Sequence, residues 1–149
     1  VKRLAARDFE DILQCAMPVF EGLFPRGHDE VIQLLLFRFA QWHALAKLRM
    51  HSESTLLALE ETFKRLSHQL RRFRSFTCTA FTTVELPREQ AAHERRAAHQ
   101  RLALGNPDME SGGRRTKKFN INTYKFHAMG DYLYLIRLFG TVDSFTSQI

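Results

Sequence analysis

Apolar residues recur at the period of an α-helix along most of the chain, beginning with residues 9–17. Pro18 should end or kink this first helix because proline has no backbone N–H to donate, and a short helical turn is expected over residues 19–24. Asp29 suits the N-cap of a second helix that we expect to run to about Met50. That helix is apolar around most of its circumference, which predicts a position at the centre of the fold.

A third helix is predicted after Ser52, whose hydroxyl is suited to cap it. Its apolar positions step by three and four residues, the spacing of helices that pack at shallow angles. These positions on the third predicted helix (α3), which we call the α3 seam, are Leu56, Leu59, Phe63, Leu66, Leu70, Phe73 and Thr77. The seam is too short to require a coiled coil, so antiparallel packing on the second helix is the simpler expectation.

Pro87 suits the first position of a fourth helix over residues 87–104, and Gly105 is its predicted stop. This helix is rich in Ala, Arg and His and has few large apolar side chains, so its packing should be marginal. Residues 105–118 have the Gly, Pro and charged composition of a flexible basic linker.

Asn122 or Thr123 should cap the last helix, which Gly140 ends. The sequence therefore predicts an all-α fold, an irregular bundle of about five helices with a flexible linker before the last one. The predicted domains are a helical bundle over residues 1–104, the linker 105–118, and the segment 119–149, which docks its helix on the same domain and starts a further segment.

Composition narrows the class of protein. A chain of 149 residues with 44% hydrophobic residues can bury one core, and its 13 Phe predict an aromatic interior. Cys15 and Cys78 lie far apart and form no metal or disulfide motif, which favours a reducing, intracellular compartment. Residues 31–48 are the longest apolar run, but polar side chains interrupt it, so no membrane partner is expected.

A formal charge of +6 favours a polyanionic partner such as nucleic acid. Cations share one arc of the third helix opposite its seam: Lys64, Arg65, His68, Arg71 and Arg72, with Arg74 at the edge. No acid occurs between residues 62 and 84, so this face can follow a phosphate backbone. The alternative, favoured for the face alone, is a solvated surface, because Glu60 and Glu61 are placed to pair with Lys64 and Arg65.

Further cations strengthen the nucleic-acid hypothesis. They are Arg95 and Arg96 on the fourth helix, and Arg114, Arg115, Lys117 and Lys118 at the end of the linker. A flexible basic arm can reach a polyanion, although it can equally act as a solubilising linker or a nuclear-import signal.

Histidines provide two further candidates. His43, Lys47 and His51 share one helical stripe, but two turns place the histidines about 12 Å apart, too far for one metal ion. We interpret these three residues as structural polar contacts. His127 and Asp131 share one side of the last helix, and we interpret them as a buried polar contact that fixes how this helix docks rather than as a general base.

The sequence carries none of the common catalytic motifs. The sequence has no phosphate-binding loop, no nucleotide-binding glycine motif, no nucleophile elbow and no paired carboxylates of the kind that bind two metals. The prediction is a non-enzymatic chain with no cofactor, no metal and no small-molecule substrate.

Several blocks of the sequence carry a resemblance to a known family. The blocks are FAQWHALAKLRMHSESTL at 39–56, FTCTAF at 76–81, ELPRE at 85–89, FNINTYKFHAMGDY at 119–132 and IRLFGTVDSFTSQ at 136–148. Together they resemble the C-terminal region of proteins encoded by Plavaka-type elements, of the Kyakuja–Dileera–Zisupton class of DNA transposons in mushroom-forming fungi. The resemblance covers roughly residues 29–149.

The resemblance implies a transposase whose RNase-H-like core holds two metal ions with three carboxylates. In family members a Gly-Glu-Leu-Glu-His-like run, suspected to carry the third acid, follows the segment matching residues 143–149. None of the family's catalytic positions maps onto a residue here. We therefore expect a catalytically inactive piece of a transposase-like protein, nuclear, with DNA and the remainder of its parent as partners. The alternative is a helical protein–protein interaction module whose seam over residues 56–73 pairs with another chain.

Overall fold

A computed structural model describes residues 6–104 and 113–141 of the chain. In these two stretches the chain forms five long helices: α1 Ala6–Phe20, α2 Arg26–Ala46, α3 Glu53–Arg72, α4 Pro87–Leu104 and α5 Tyr124–Phe139. A π-helical segment, Phe73–Thr77, follows α3 and is succeeded by one α-turn, Cys78–Ala80. Two short antiparallel strands complete the described part, β1 Thr83–Val84 and β2 Thr116–Lys117. The predicted all-α class is confirmed.

The described residues fall into two compact units, 6–77 with 120–141 and 78–104 with 113–119. The first unit holds α1, α2, α3, the π-helical segment and α5. The second holds the two strands and α4, a helix that the sequence grouped with the N-terminal ones. Of the predicted linker, residues 105–112 lie outside the described part of the chain, as does the segment predicted after α5.

The connection between α1 and α2 differs from the prediction. Helix α1 continues to Phe20, past Pro18, because a proline in the last turn removes only one hydrogen bond. Helix α2 begins at Arg26 with Pro25 at its N-cap, so Asp29 lies in the first turn and is not the cap. The Asp29 carboxylate instead accepts a hydrogen bond of 3.0 Å from the backbone N–H of Gly22.

Helix α2 ends at Ala46, four residues before the predicted end at Met50. The intervening residues turn the chain so that α3 can pack back on α2. Ser52 caps α3 as predicted: its hydroxyl accepts from the N–H of Thr55 at 3.3 Å, and the Thr55 hydroxyl accepts from the N–H of Ser52 at 2.9 Å. Two otherwise unpaired N–H groups are thereby satisfied.

Three helices share the core of the first unit. Its buried side chains come from α2, α3 and α5: Trp42, Ala46, Leu56, Leu59, Leu66, Met129 and Ile136. The α3 seam faces inward against α2, as the spacing predicts, and α2 also packs on α1, which confirms its central position. One buried polar bond crosses this interface, from the Gln69 side-chain amide to the carbonyl of Val31 at 3.0 Å.

The predicted aromatic interior forms in part. Trp42 is the aromatic residue of the buried core, and its ring packs edge-on against Tyr132 with ring centroids 5.0 Å apart. None of the described Phe side chains is fully buried: Phe63 is half-buried against the core, whereas Phe9 and Phe37 are exposed. Aliphatic side chains fill the space between closely packed helices, and the larger rings cover its edges.

The π-helical segment is attached to the beginning of α2. The His28 ring stacks on the Phe76 ring with centroids 4.6 Å apart, and its Nδ1 lies 3.4 Å from the buried hydroxyl of Thr77. These contacts hold the end of the α3 helix against the first turn of α2. They also fix the backbone on which Arg74 is carried.

The second unit contains a β-ribbon that the helical interpretation of the sequence missed. Thr83 pairs with Lys117 and Val84 with Thr116, and the Thr83 hydroxyl donates to the carbonyl of Lys117 at 2.8 Å. Strands of two residues give too short a pattern to be recognised in the sequence. Helix α4 begins at Pro87, as predicted, and the predicted stop at Gly105 lies beyond the described residues.

Helix α5 ends at Gly140, as predicted, in the left-handed conformation with φ of +83°. The Gly140 N–H donates to the carbonyl of Ile136 at 2.7 Å. Thr123 occupies the N-cap position, although its side chain makes no capping hydrogen bond. Gly130 lies in the middle of the helix, where the ring of Phe63 on α3 is its nearest side-chain neighbour.

Candidate nucleic-acid interface

Two of the predicted phosphate-binding cations on α3 are already paired. Lys64 Nζ lies 2.8 Å from a carboxylate oxygen of Glu60, and Arg65 Nε lies 2.9 Å from one of Glu61. The hydrogen bond between Lys64 and Glu60 lowers the pKa of the Glu60 carboxyl and raises that of the Lys64 ammonium. Both ion pairs use the four-residue spacing of one helix face. The solvated-surface alternative therefore describes this part of the face well.

The cations at the end of α3, in contrast, are not paired with any described acid. Arg71, Arg72 and Arg74, which we call the α3 arginines, are all exposed, and none forms an ion pair with any residue that the structure describes. Two of them lie in the last turn of α3, where positive charge complements the helix dipole, and the third lies in the π-helical segment. No described carboxylate therefore competes with an external anion for their guanidinium groups.

The basic residues of the second unit also divide into cations with a described partner and cations without one. We call Arg114, Arg115, Lys117 and Lys118 the basic segment. Lys117 Nζ lies 3.8 Å from carboxylate oxygens of both Glu85 and Glu89. Arg114 Nε donates to the Gln90 side-chain carbonyl at 3.3 Å, a neutral partner. The side chains of Arg115 and Lys118 are exposed and form no ion pair within the described residues.

Helix α4 carries the remaining predicted cations. Arg96 folds back on its own helix and donates from Nε to the carbonyl of Ala92 at 3.1 Å. Arg95 is exposed and makes no ion pair in the part of the chain described. Neither residue has an acidic partner among the described residues, so no described carboxylate neutralises either charge.

Glu85 carries a buried carboxylate with several polar partners, and no role was predicted for it from the sequence. Its side chain is only 8% exposed, and its Oε2 lies 3.7 Å from Nδ1 of His93 and 3.4 Å from the backbone N–H of Arg115, which donates to it. Its own backbone N–H donates to the carbonyl of Arg115 at 3.0 Å. A buried carboxylate needs such donors and cations, because burying an unpaired charge is costly. The only signal in the sequence is its position beside a proline-started helix.

The stripe of His43 and Lys47 on α2 is a structural contact, as interpreted from the sequence. Both approach one carboxylate on α1: Lys47 Nζ donates to Glu10 Oε1 at 2.6 Å, and His43 Nε2 lies 3.8 Å from the same oxygen. The hydrogen bond from Lys47 lowers the pKa of Glu10. Burial lowers the pKa of His43 below its ordinary value of 6.5, opposed by the charge of Glu10 and assisted by that of Lys47.

His51 makes a separate contact. Its Nδ1 lies 3.5 Å from the hydroxyl of Thr55, beside the cap of α3, and its Nε2 is buried with no hydrogen-bond partner among the described residues. The third member of the predicted stripe therefore belongs to the loop before α3.

The buried polar contact predicted for His127 and Asp131 does not form. Both side chains are exposed, and neither makes a hydrogen bond or ion pair with a described residue. The docking of α5 instead uses Met129 and Ile136 in the core and an ion pair of 2.6 Å between Arg137 and Glu53 on α3. The four-residue spacing places His127 and Asp131 on one side of the helix, but apolar residues on the opposite side decide which side faces inward.

The chemistry of the described residues is limited. No three His, Cys, Asp or Glu side chains among them are arranged to hold a metal ion. Burial raises the pKa of the Cys78 thiol, which disfavours its nucleophilic thiolate form. Within the same residues, every helix is too short or too polar to cross a membrane.

Comparison with known proteins adds no relative. No protein-family model, no curated protein and no solved structure matches the chain.

Proposed function

We propose that this chain is a helical, non-catalytic part of a transposase-like protein of the Plavaka type, acting in the nucleus, and that it contacts the DNA backbone without base specificity. The resemblance of residues 29–149 supports the first half of the proposal. The exposed cations support the second half, since phosphate contacts alone provide sequence-independent affinity. The parent protein would supply the metal-binding carboxylates.

The observation that carries the proposal is the state of the α3 arginines. They are consecutive or nearly so at one helix end, exposed, and without an acidic partner among the described residues. They differ in this from Lys64 and Arg65, which pair with glutamates one turn away. Arginine also presents five donors in a planar fork that matches phosphate oxygens.

The alternative of an interaction module based on the α3 seam is less well supported. Leu59 and Leu66, at the middle of the seam, are 1% and 0% exposed because α2 and α5 cover them. A partner chain can reach these side chains only if the bundle opens. No part of the proposal requires such opening.

The test is a salt titration of binding to duplex DNA of arbitrary sequence. If the α3 arginines contact three phosphates, the association constant should fall roughly 40-fold between 50 and 200 mM salt, because each contact contributes about 0.9 to the logarithmic slope. The double variant Arg71→Ala/Arg72→Ala should reduce that slope by about 0.9 for each arginine lost. Alanine is the best helix former, so the exposed helix end should stay folded.

A matched control is available on the same helix. Lys64→Ala/Arg65→Ala removes the same number of charges, but each of these cations is neutralised by a glutamate. It should therefore reduce the slope much less than Arg71→Ala/Arg72→Ala. Equal effects of the two double variants would reject the α3 arginines as the interface. Salt-independent binding would reject contact through the phosphate backbone, and undetectable binding would reject DNA contact altogether.

A further inference from the structure

One positive charge of the predicted linker is compensated in the folded chain, because Lys117 lies close to two acids. Lys117 Nζ lies between Glu85 and Glu89, 3.8 Å from an oxygen of each. Its backbone is fixed as well, since β2 pairs with β1 and the Thr83 hydroxyl donates to the Lys117 carbonyl. The ammonium group therefore lies at a defined position between two carboxylates.

The two acids are not equivalent. Glu85 is 8% exposed and also faces His93 and the N–H of Arg115, so it belongs to the interior of the second unit. Glu89 is 49% exposed and lies in the first turn of α4. Lys117 has one buried partner, which it must keep, and one solvent-facing partner, which it can exchange.

We propose that Glu89 is a built-in competitor for the phosphate site of the basic segment. In the free protein its carboxylate occupies the outer side of the Lys117 ammonium. On binding, a phosphate of a polyanion takes the place of Glu89, and Lys117 then bridges Glu85 and the phosphate. Arg115 and Lys118, which are close to Lys117 in sequence and have no acidic partner in the described part of the chain, add positive charge to the same segment.

The consequence is a restraint on affinity. A carboxylate near the site repels the incoming phosphate and must give up its ion pair before the contact forms. The basic segment should therefore bind a polyanion more weakly and with a shallower salt dependence than its four cations suggest. This inference rests on the proposed contact with DNA.

The variant Glu89→Gln tests it with little change to the fold. The Glu89 Oε2 accepts a hydrogen bond of 3.1 Å from the N–H of Leu86 at the start of α4, and a glutamine can keep this bond. The expected result is tighter binding to duplex DNA and a slope steeper by up to about 0.9, the contribution of one phosphate contact.

Glu94→Gln is the matched control on the same helix. It changes the net charge equally, but Glu94 accepts a hydrogen bond from the Gln90 amide at 2.9 Å and pairs with no cation among the described residues. Its effect should be clearly smaller than that of Glu89→Gln. In a Lys117→Met background the gain from Glu89→Gln should shrink to that from Glu94→Gln, the general effect of removing one negative charge, because the ion pair that Glu89→Gln relieves is gone.

Elution from immobilised heparin separates this inference from the proposed function. Heparin is a polyanion without bases, so Glu89→Gln should elute at higher salt than Glu94→Gln even if the parent chain shows no DNA binding. Undetectable DNA binding combined with this elution order would refute the DNA function and keep the competition. Equal effects of Glu89→Gln and Glu94→Gln on both polyanions would overturn the competition. So would an excess gain of Glu89→Gln over Glu94→Gln that survives Lys117→Met.

Discussion

The two described glycines of the last helix should respond to alanine in opposite directions. Gly130 lies in the interior of α5, and a Cβ added there would lie 3.6 Å from the Phe63 ring, an ordinary van der Waals contact. Gly140 ends the helix with φ of +83°, a conformation that side chains resist, although nothing lies within 4 Å of its added Cβ. Space permits both substitutions, whereas the backbone conformation permits only the first.

The magnitudes follow from these local geometries. Gly130→Ala should stabilise the first unit by about 0.8–1.0 kcal/mol, the difference in helix propensity between the two residues. Gly140→Ala should destabilise it by about 1–2 kcal/mol, the cost of a left-handed conformation for a residue with a Cβ. The two variants should therefore differ by about 2–3 kcal/mol, even though each adds the same methyl group.

Urea unfolding followed by tryptophan fluorescence provides the assay. Trp42 is the one tryptophan of the chain and packs on Tyr132 of α5, so its emission reports the docking of the helix under test. A destabilising Gly130→Ala would contradict this packing of α5 on α3. It would indicate that the Phe63 ring lies closer to the added Cβ than 3.6 Å. A neutral Gly140→Ala would show that α5 does not end in the left-handed conformation.

Two further substitutions test the packing of the core and the dependence of stability on pH. Leu66→Ala empties a position that is 0% exposed and should cost about 2.7–5.0 kcal/mol, measured by the same unfolding; a loss below 1 kcal/mol would contradict the packing of α3. Because burial lowers the pKa of His43 below 6.5, the folded state binds fewer protons than the unfolded state, and stability should decline as the pH falls below 6.5. Glu10, whose pKa is also lowered, should add a second decline below pH 4.5. His43→Gln should remove the first decline and leave the second, and an unchanged pH profile would contradict the half-buried position of the ring.

The identity and limits of several helices could be read from consecutive residues. The cap at Ser52, the start of α4 at Pro87 and the stop of α5 at Gly140 were all predicted correctly. So was the inward direction of the α3 seam, because an apolar stripe of helical period has one buried side. The pairs that neutralise Lys64 and Arg65 also follow from spacing within a single helix.

Contacts between distant residues could not be read in this way. Asp29 and Gly22 show the limit at short range, since the carboxylate expected to cap α2 bonds instead to the chain before it. Glu10 meets Lys47, and Glu53 meets Arg137, across helix pairs whose packing no local pattern specifies. The exposure of His127 and Asp131 likewise depended on which side of α5 the core occupied.

The candidate interface likewise combines features set by consecutive residues with contacts between distant residues. Its cations and their helical arc are properties of residue order and of the fixed rotation per residue of a helix. Which cations remain available is a property of the folded chain, because an ion pair needs two side chains within a few ångströms of each other. Folding leaves the α3 arginines without acids among the described residues and places Lys117 between Glu85 and Glu89, through a strand pairing that joins residues more than thirty positions apart.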